Sequence, residues 1–302
     1  CHGLVEFVEP KHTFAEVGGL EGLKTDLMRV ATAIKQGNAK RVPMGILFVG
    51  PMGTGKTYIA EAFAAESGLT CLKFKNFRER WVGSTEGNLE KILDVVEGLG
   101  QVLLIIDEAD RSMGSGADGD GGTTSRVIAR LKEFMSDTSH RGRVVMLMMT
   151  NRPDKLDADL KRPGRFDLKI PFFFPEDPKT RKAILSASSR KNGVMLDEVA
   201  DLDAVAEATA GYSSAELELV VLAAAAVADD AGRLSVSRDD LARATRDVIP
   251  SRDTRMLAYM ELLAVFESSS RRMLPERFQG MDTATVQQEL DALKVQLGRR
   301  VH

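Results

Sequence analysis

The sequence predicts an α/β fold in which a doubly wound, mostly parallel, five-stranded sheet is followed by a small all-helical region. Two observations lead to this prediction. Apolar runs alternate with helix-patterned stretches as far as Pro175, and several runs are almost continuously apolar, as expected of strands covered on both faces. Beyond Pro175 only helical patterns remain, which indicates a separate helical layer.

The predicted elements follow one another in strand–helix order, which is typical of a parallel sheet. The five strands are predicted at Met44–Val49, Thr70–Lys75, Val102–Ile106, Val144–Met149 and Leu168–Phe174. Helical patterns lie between them at Lys56–Ser67, Glu86–Glu97 and Ser125–Met135. The helical region is predicted to contain Asp177–Ser189, Leu202–Ala210, Ser214–Asp230 and Arg238–Val248.

Four segments are expected from these patterns. They are an N-terminal linker (residues 1–20), a large α/β nucleotide-binding domain (21–175), a small helical lid domain (176–250) and a C-terminal helical tail (251–302). The tail shows helical stretches around Met256–Arg272 and Thr285–Arg299, the latter with a capping box from Thr285 to Gln288. Its apolar stripe could pair with another chain or pack on its own domain.

Composition excludes several classes of protein. The 302 residues are 43% hydrophobic and 28% charged, and the net charge of -3 gives no overall bias toward nucleic acid. Cys1 and Cys71 are too few and too far apart for a zinc site or a disulfide framework. No apolar run has the length of a membrane span, so we expect a cytoplasmic protein. Because the first residue is Cys1 rather than Met, we expect this to be part of a longer protein.

The segment Gly50–Thr57, with the sequence Gly-Pro-Met-Gly-Thr-Gly-Lys-Thr, carries the strongest motif. It fits G-x-x-x-x-G-K-[ST] and lies between a predicted strand and a predicted helix, as a phosphate-binding P-loop must. Gly53 and Gly55 let the backbone curl so that its N–H groups point at phosphate oxygens. Lys56 is expected to neutralise the β- and γ-phosphates of ATP, and the Thr57 hydroxyl to bind Mg²⁺.

Two carboxylates follow the apolar strand that ends at Ile106. In a parallel sheet, this position brings Asp107 and Glu108 to the same edge as the P-loop. Asp107 is expected to hold Mg²⁺ directly or through water, and Glu108 to act as the general base on the attacking water. The P-loop and the carboxylates together predict ATP hydrolysis.

At this point the sequence resembles a classical AAA ATPase, from residue 14 to about residue 217. Phe14–Leu20 resembles the family's N-terminal segment, Thr150–Pro153 its sensor 1 and Gly211–Leu217 its lid motif, with Ser214 where glycine is usual. The resemblance implies that Asn151 orients the water. It also implies a nucleotide-binding set formed by Val17, Gly18, Pro51, Met52, Gly53, Thr54, Gly55, Lys56, Thr57, Tyr58, Asp107, Ser214 and Ala215.

Arg162 and Arg165 belong to a segment, Arg-Pro-Gly-Arg-Phe-Asp, that resembles the family's arginine fingers. The resemblance implies that both reach the ATP of a neighbouring subunit in a ring. Positive charge at the γ-phosphate accelerates phosphoryl transfer, and charge supplied in trans couples hydrolysis to assembly. Taken singly, either arginine would more often form an ordinary surface ion pair, and only the two together in this pattern favour fingers.

Trp81-Val82-Gly83 resembles the aromatic pore loop of AAA rings, in the Trp form of spastin- and katanin-like remodellers, a group that also includes relatives of valosin-containing protein. An aromatic side chain on such a loop can grip many peptide sequences. The single tryptophan could instead be a core anchor. The glycine-rich segment Ser112–Gly122 is either a second pore loop or a surface loop.

The resulting hypothesis is an ATP-hydrolysing motor, a homo-oligomer expected to be hexameric, that unfolds or threads protein substrates. The alternative is a slowly hydrolysing switch or assembly scaffold. A nucleic-acid motor is disfavoured by the near-neutral charge. No His-Glu-x-x-His motif occurs, so a zinc protease is not expected within this chain.

Overall fold

The computed structural model describes residues 5–74, 86–112 and 123–302. Its six strands are β1 (Val5–Val8), β2 (Gly45–Val49), β3 (Thr70–Phe74), β4 (Val102–Ile106), β5 (Val144–Thr150) and β6 (Phe166–Pro171). The helices of the first part are α1 (Glu21–Lys35), α2 (Lys56–Ser67), α3 (Glu86–Gly98), α4 (Ala109–Ser112) and α5 (Thr123–Ser136). They are followed by α6 (Pro178–Lys191), α7 (Leu202–Ala208), α8 (Ser214–Asp230), α9 (Arg238–Asp247), α10 (Thr254–Glu267), α11 (Glu276–Gln279) and α12 (Thr283–Leu297).

The strands form one sheet in the order β1-β3-β4-β5-β2-β6. All neighbours are parallel except β1, which pairs antiparallel with β3 at the edge. The five predicted strands therefore form the parallel part of the sheet, and the α/β fold class is confirmed. β1 and α1 are not among the elements predicted above. A four-residue edge strand has too short a pattern to be recognised.

Each central strand divides its side chains between two cores, because successive residues point to opposite faces. Leu47, Leu104 and Met146 pack on one face of the sheet with α3 and α5. Ile46, Leu103 and Val145 pack on the other face with α1 and α2. Burial on both faces explains why these strands read as continuous apolar runs.

The helices from α6 to α9 have their own core, formed by residues such as Leu185, Leu217 and Leu241. The C-terminal helices do not join it. Tyr259 of α10 and Leu290 of α12 lie in the same cluster as α3, α5 and one face of the sheet. The apolar stripe of α12 therefore packs on its own chain. No helix among the described residues is long and apolar enough to cross a bilayer.

The predicted capping box at the last helix is wrong. α12 begins at Thr283, two residues earlier than predicted, and its N-cap is Asp282, whose carboxylate accepts a hydrogen bond of 2.7 Å from the Thr285 backbone N–H. A carboxylate at this position also interacts favourably with the positive end of the helix. Asp282 therefore provides the cap that was assigned to Thr285.

Candidate nucleotide-binding site

A cavity of about 930 Å³ opens where the carboxyl ends of β2, β4 and β5 meet the helical region. Its residues fall into two groups, which we call the sheet end and the helical end. The sheet end comprises residues Gly53–Thr57, Asp107, Glu108, Asp110, Thr150 and Asn151. The helical end comprises Val17, Gly18, Tyr58, Lys191, Ser214, Ala215 and Glu218. This edge of a doubly wound sheet is the usual location of a ligand site.

The loop from Gly50 to Gly55 is possible only because glycine occupies its strained positions. Gly50 has φ of +145°, and a Cβ atom there would lie 2.2 Å from the carbonyl oxygen of Phe172. Gly53 and Gly55 also have positive φ, at +76° and +87°. Gly55 precedes α2, whose N-terminus receives no cap from any side chain that the structure describes. Its first N–H groups are thus suited to bind an anion.

Lys56 lies at the floor of the cavity. Its ammonium group donates hydrogen bonds to the carbonyl oxygens of Gly50 and Pro51, both at 2.8 Å, and to Asn151 Oδ1 at 2.9 Å. Burial lowers the pKa of Lys56 to about 8, although the charges of Asp107 and Asp110 oppose this shift. Pro51 itself does not line the cavity, and its role is to accept bonds from Lys56 and the Thr54 hydroxyl.

The carboxylates after β4 lie beside Lys56, as predicted. Glu108 has φ of +49°, a strained value for a residue other than glycine, and its backbone N–H donates to Asp107 Oδ1 at 2.7 Å. Such strain occurs most often at functional positions. Asp110 was not predicted. It accepts a hydrogen bond of 2.7 Å from the Thr150 hydroxyl, and only its place three residues after Asp107 could have indicated it.

Asn151 follows the last residue of β5 and reaches the cavity at Lys56. Residues on both sides of it are fixed. The Gly50 N–H donates to the Thr150 carbonyl at 3.3 Å, and the Arg152 N–H donates to the Thr150 hydroxyl at 2.9 Å. The predicted P-loop, carboxylate and sensor residues are therefore gathered at one point.

The helical end depends on docking between distant segments. Val17 is buried, and a Cβ atom on Gly18 would lie 2.5 Å from the carbonyl oxygen of Ala183 in α6. Ser214 is the first residue of α8, and the Ala215 N–H donates to the Gly53 carbonyl at 3.0 Å. The helical region thus makes direct contact with the P-loop, and Ser214 in the position of the usual glycine is accommodated there.

Tyr58 lies between two side chains that were not predicted. The His12 ring stacks on it at 3.6 Å between centroids, and His12 Nε2 donates to the Tyr58 carbonyl at 2.8 Å. The Lys191 ammonium lies 4.6 Å from the centroid of the Tyr58 ring and pairs with Glu218 at 3.1 Å. Met52 and Thr57 line the same cavity with exposed side chains.

Arg162 and Arg165 do not line the cavity. Both belong to one turn, closed by a 3.2 Å hydrogen bond from the Arg165 N–H to the Arg162 carbonyl, with Gly164 at φ of +90°. The Arg162 side chain is 71% exposed and pairs with Asp159 at 3.0 Å. The Arg165 side chain is half-buried and its Nη1 donates to the Asp159 carbonyl at 2.8 Å. Both predicted fingers therefore lie on one turn outside the cavity of their own chain.

Trp81 and Val82, the predicted pore residues, lie outside the described residues, and so does nearly all of the glycine-rich segment.

Comparison with known proteins agrees with this site. Residues 46–174 match the family model described as "ATPase family associated with various cellular activities (AAA)". The chain is 34% identical to the ATP-dependent zinc metalloprotease FtsH 1 of Sphaerobacter thermophilus over 288 residues, which cover 88% of this chain and 43% of that protein. It is 33% identical to FtsH of Thermus thermophilus over 276 residues, covering 83% of this chain and 43% of the relative.

The chain spans less than half the length of these relatives. They are FtsH proteins, so the expected grouping with spastin-, katanin- and valosin-containing-protein-like remodellers is not confirmed. The family match runs from β2 to just beyond β6 and thus includes the whole sheet end. The chain therefore contains an AAA domain at residues 46–174, and this match supports the AAA+ superfamily and ATP hydrolysis by that domain.

Proposed function

We propose that this chain is the motor of a ring-forming machine, expected to be hexameric, that uses ATP hydrolysis to remodel or degrade protein substrates. The observation that carries the proposal is the separation of Arg162 and Arg165 from their own cavity. That cavity contains Lys56, the carboxylates and Asn151, whereas the two arginines lie on an exposed turn elsewhere. A second subunit that docks this turn against the cavity would add the missing positive charge.

We assign catalytic roles at the sheet end as part of this proposal. The Glu108 carboxylate would accept the proton of the water that attacks the γ-phosphorus, while Asn151 holds that water and Lys56 neutralises the charge that develops on the phosphate oxygens. The proton then passes to the solution with the released phosphate. Each of these groups lines the same cavity. The proposed reaction is an in-line hydrolysis in which this chain orients the nucleophile.

Mg²⁺ would be held by the Thr57 hydroxyl and the Asp107 carboxylate, which supply the oxygen ligands that this ion prefers. It would neutralise negative charge on the phosphates during the transfer. The described residues contain no cluster of three or more His, Cys, Asp or Glu that could hold a metal. This fits Mg²⁺, which usually completes its shell with phosphate and water.

The arginines are tested by mixing two inactive variants, Arg162→Ala and Lys56→Ala. A mixed ring contains some interfaces that pair an intact Lys56 with an intact Arg162, so the mixture is expected to regain part of the ATPase activity. Arg190→Ala, which alters another exposed arginine, is the control for surface charge. If the mixture stays as inactive as its components, the arginines do not act in trans.

The protein substrate is proposed on two grounds. The names of the relatives describe ATP-dependent proteases, and Trp81 resembles a pore residue. We expect Trp81→Ala to keep basal ATP hydrolysis and to lose unfolding of a tagged model protein. Unfolding at the normal rate by this variant would favour the alternative, a switch that hydrolyses slowly and does not translocate. Cytoplasmic location stays a prediction.

A further inference from the structure

Arg152 is the first residue beyond Asn151 and also lines the cavity, yet its guanidinium contacts the C-terminal segment. It is 7% exposed, and its guanidinium donates to both carboxylate oxygens of Asp154, at 3.0 and 2.7 Å. Its Nη2 also donates to the backbone carbonyl of Val301 at 3.0 Å. A buried arginine with such partners is held in one position.

The C-terminal helices meet this arginine from a second side. The Arg152 guanidinium lies 5.2 Å from the ring centroid of Tyr259 in α10, and the Tyr259 hydroxyl donates to Asp154 at 3.4 Å. Tyr259 is fully buried, so its ring is a fixed platform. Met260, the next residue of α10, lines the nucleotide cavity itself. The segment that follows the helical region therefore reaches the site.

We propose that Arg152 is a positioning residue that makes the catalytic geometry of Asn151 depend on docking of α10 and the turn Gly298–Val301. This inference rests on the role proposed above for Asn151. Thr150 is fixed by β5, and Arg152 is fixed by the C-terminal segment, so Asn151 is held between two anchors. Loss of the second anchor lets the side chain that contacts Lys56 move. Displacement of a positioning group by about 1 Å can cost about 100-fold in rate.

Arg152→Lys tests the proposal, because lysine keeps the charge but cannot bind both oxygens of Asp154 and the Val301 carbonyl at once. We expect kcat to fall about tenfold and the KM for ATP to change less than about twofold, since the P-loop is untouched. Turnover is measured per nucleotide-binding site. A merely structural role would lower the melting temperature and leave this kcat unchanged, and that result would overturn the proposal.

Arg238→Gln is the matched control. Arg238 is the first residue of α9 and pairs with Asp201 at 3.8 Å, so this ion pair lies within the helical region rather than at the C-terminal segment. Its loss removes an exposed arginine ion pair and is expected to leave kcat unchanged. Asp154→Asn, at a more accessible position, weakens the Arg152 contact without altering Arg152. It should lower kcat in the same way, and its effect should not add to that of Arg152→Lys.

Hydrogen exchange provides an independent readout. Arg152 donates to the Val301 carbonyl and its own N–H donates to the Thr150 hydroxyl, so the variant should loosen both the turn Gly298–Val301 and the backbone next to Asn151. Arg152→Lys is expected to speed exchange severalfold in residues 298–301 and in residues 151–152, with or without ATPγS. Faster exchange in residues 298–301 alone, with residues 151–152 unchanged, would contradict the proposal.

The two hypotheses fail in different ways. If Glu108→Gln abolishes turnover but Arg152→Lys and Asp154→Asn keep the wild-type kcat, the positioning role is wrong and the proposed catalytic site stands. If Glu108→Gln keeps normal turnover, the proposed site itself is wrong.

Discussion

The sheet end and the helical end of the cavity are built by different means. At the sheet end, Asn151 and the two carboxylates each follow a strand of one parallel sheet, so backbone pairing sets their spacing. At the helical end, Gly18 and Ala215 come from segments that meet only when the helical region docks on the sheet. The comparison shows that strand pairing spaces the groups of the sheet end, whereas the helical end forms only when the helical region docks on the sheet. We therefore expect that docking to affect nucleotide affinity.

This difference makes a kinetic prediction. Substitutions of Asn151 or Glu108 at the sheet end should lower kcat with little change in KM, and substitutions at the helical end should raise KM with little change in kcat. Lys56, which belongs to the P-loop, should affect affinity as well. The following predictions are ordered from the largest expected effect to the smallest.

Asn151→Ala removes the amide that contacts Lys56. We expect kcat to fall about 100-fold, the cost of losing one preorganised polar group in a water-poor site. The KM for ATP should stay within about twofold. Steady-state ATPase assays at saturating Mg²⁺ measure both constants. A large rise in KM with an unchanged kcat would contradict the assignment of catalysis to the sheet end and of nucleotide affinity to the helical end.

Gly18→Ala places a methyl group 2.5 Å from the Ala183 carbonyl oxygen and 2.7 Å from the Ile184 Cα atom, so the N-terminal segment must move away from α6. We expect KM to rise about tenfold, equivalent to about 1.4 kcal/mol of binding free energy. The control is Gly22→Ala in α1, where a Cβ atom meets nothing within 4 Å. Equal KM values for the two variants would contradict the docking account.

The pH dependence of ATP binding tests Lys56. Its pKa of about 8 in the folded protein means that the charged form, which binds phosphate, is lost as the pH rises through 8. We expect the Kd for ATP to increase about fourfold between pH 7 and 8.5. The free energy of unfolding should rise with pH between about 8 and 10.5, because the unfolded chain holds the proton longer. Lys56→Arg, which stays charged, should show a flat Kd.

Lys191→Met removes the ammonium group from the Tyr58 ring and from Glu218. The lost cation–π contact is worth about 0.5–1 kcal/mol at a partly exposed site, so KM should rise about two- to fivefold. Lys182→Met is the control, since Lys182 lies on the same helix and pairs with Asp203 instead. A lower kcat for Lys191→Met would show that this end also affects the chemistry.

The same difference explains what could be predicted from sequence. The sheet end was predicted almost completely, because each group follows its strand or belongs to a contiguous motif. The contacts of Tyr58 with His12 and Lys191 were missed, since their partners are distant in sequence and a single histidine or lysine carries no pattern. The same holds for Arg152, whose contacts with Tyr259 and Val301 arise only when the C-terminal helices fold back onto the sheet.

Errors at element ends have local causes. β6 begins at Phe166 rather than Leu168 and ends at Pro171 rather than Phe174. Proline is tolerated there because β6 pairs only with β2 and needs no second set of N–H donors. Asp282, rather than Thr285, caps α12. Its carboxylate accepts the hydrogen bond from the Thr285 N–H, which the predicted capping box had paired with the Gln288 side chain.

The central claim is that ATP hydrolysis depends on the carboxylates of this chain's own sheet end, with Glu108 as the general base. Glu108→Gln tests it most directly, because the substitution keeps the size of the side chain and removes its basicity. We expect ATP to bind with a Kd within about threefold of wild type while kcat falls at least about 100-fold. Undiminished turnover by this variant, measured as phosphate release, would contradict the account.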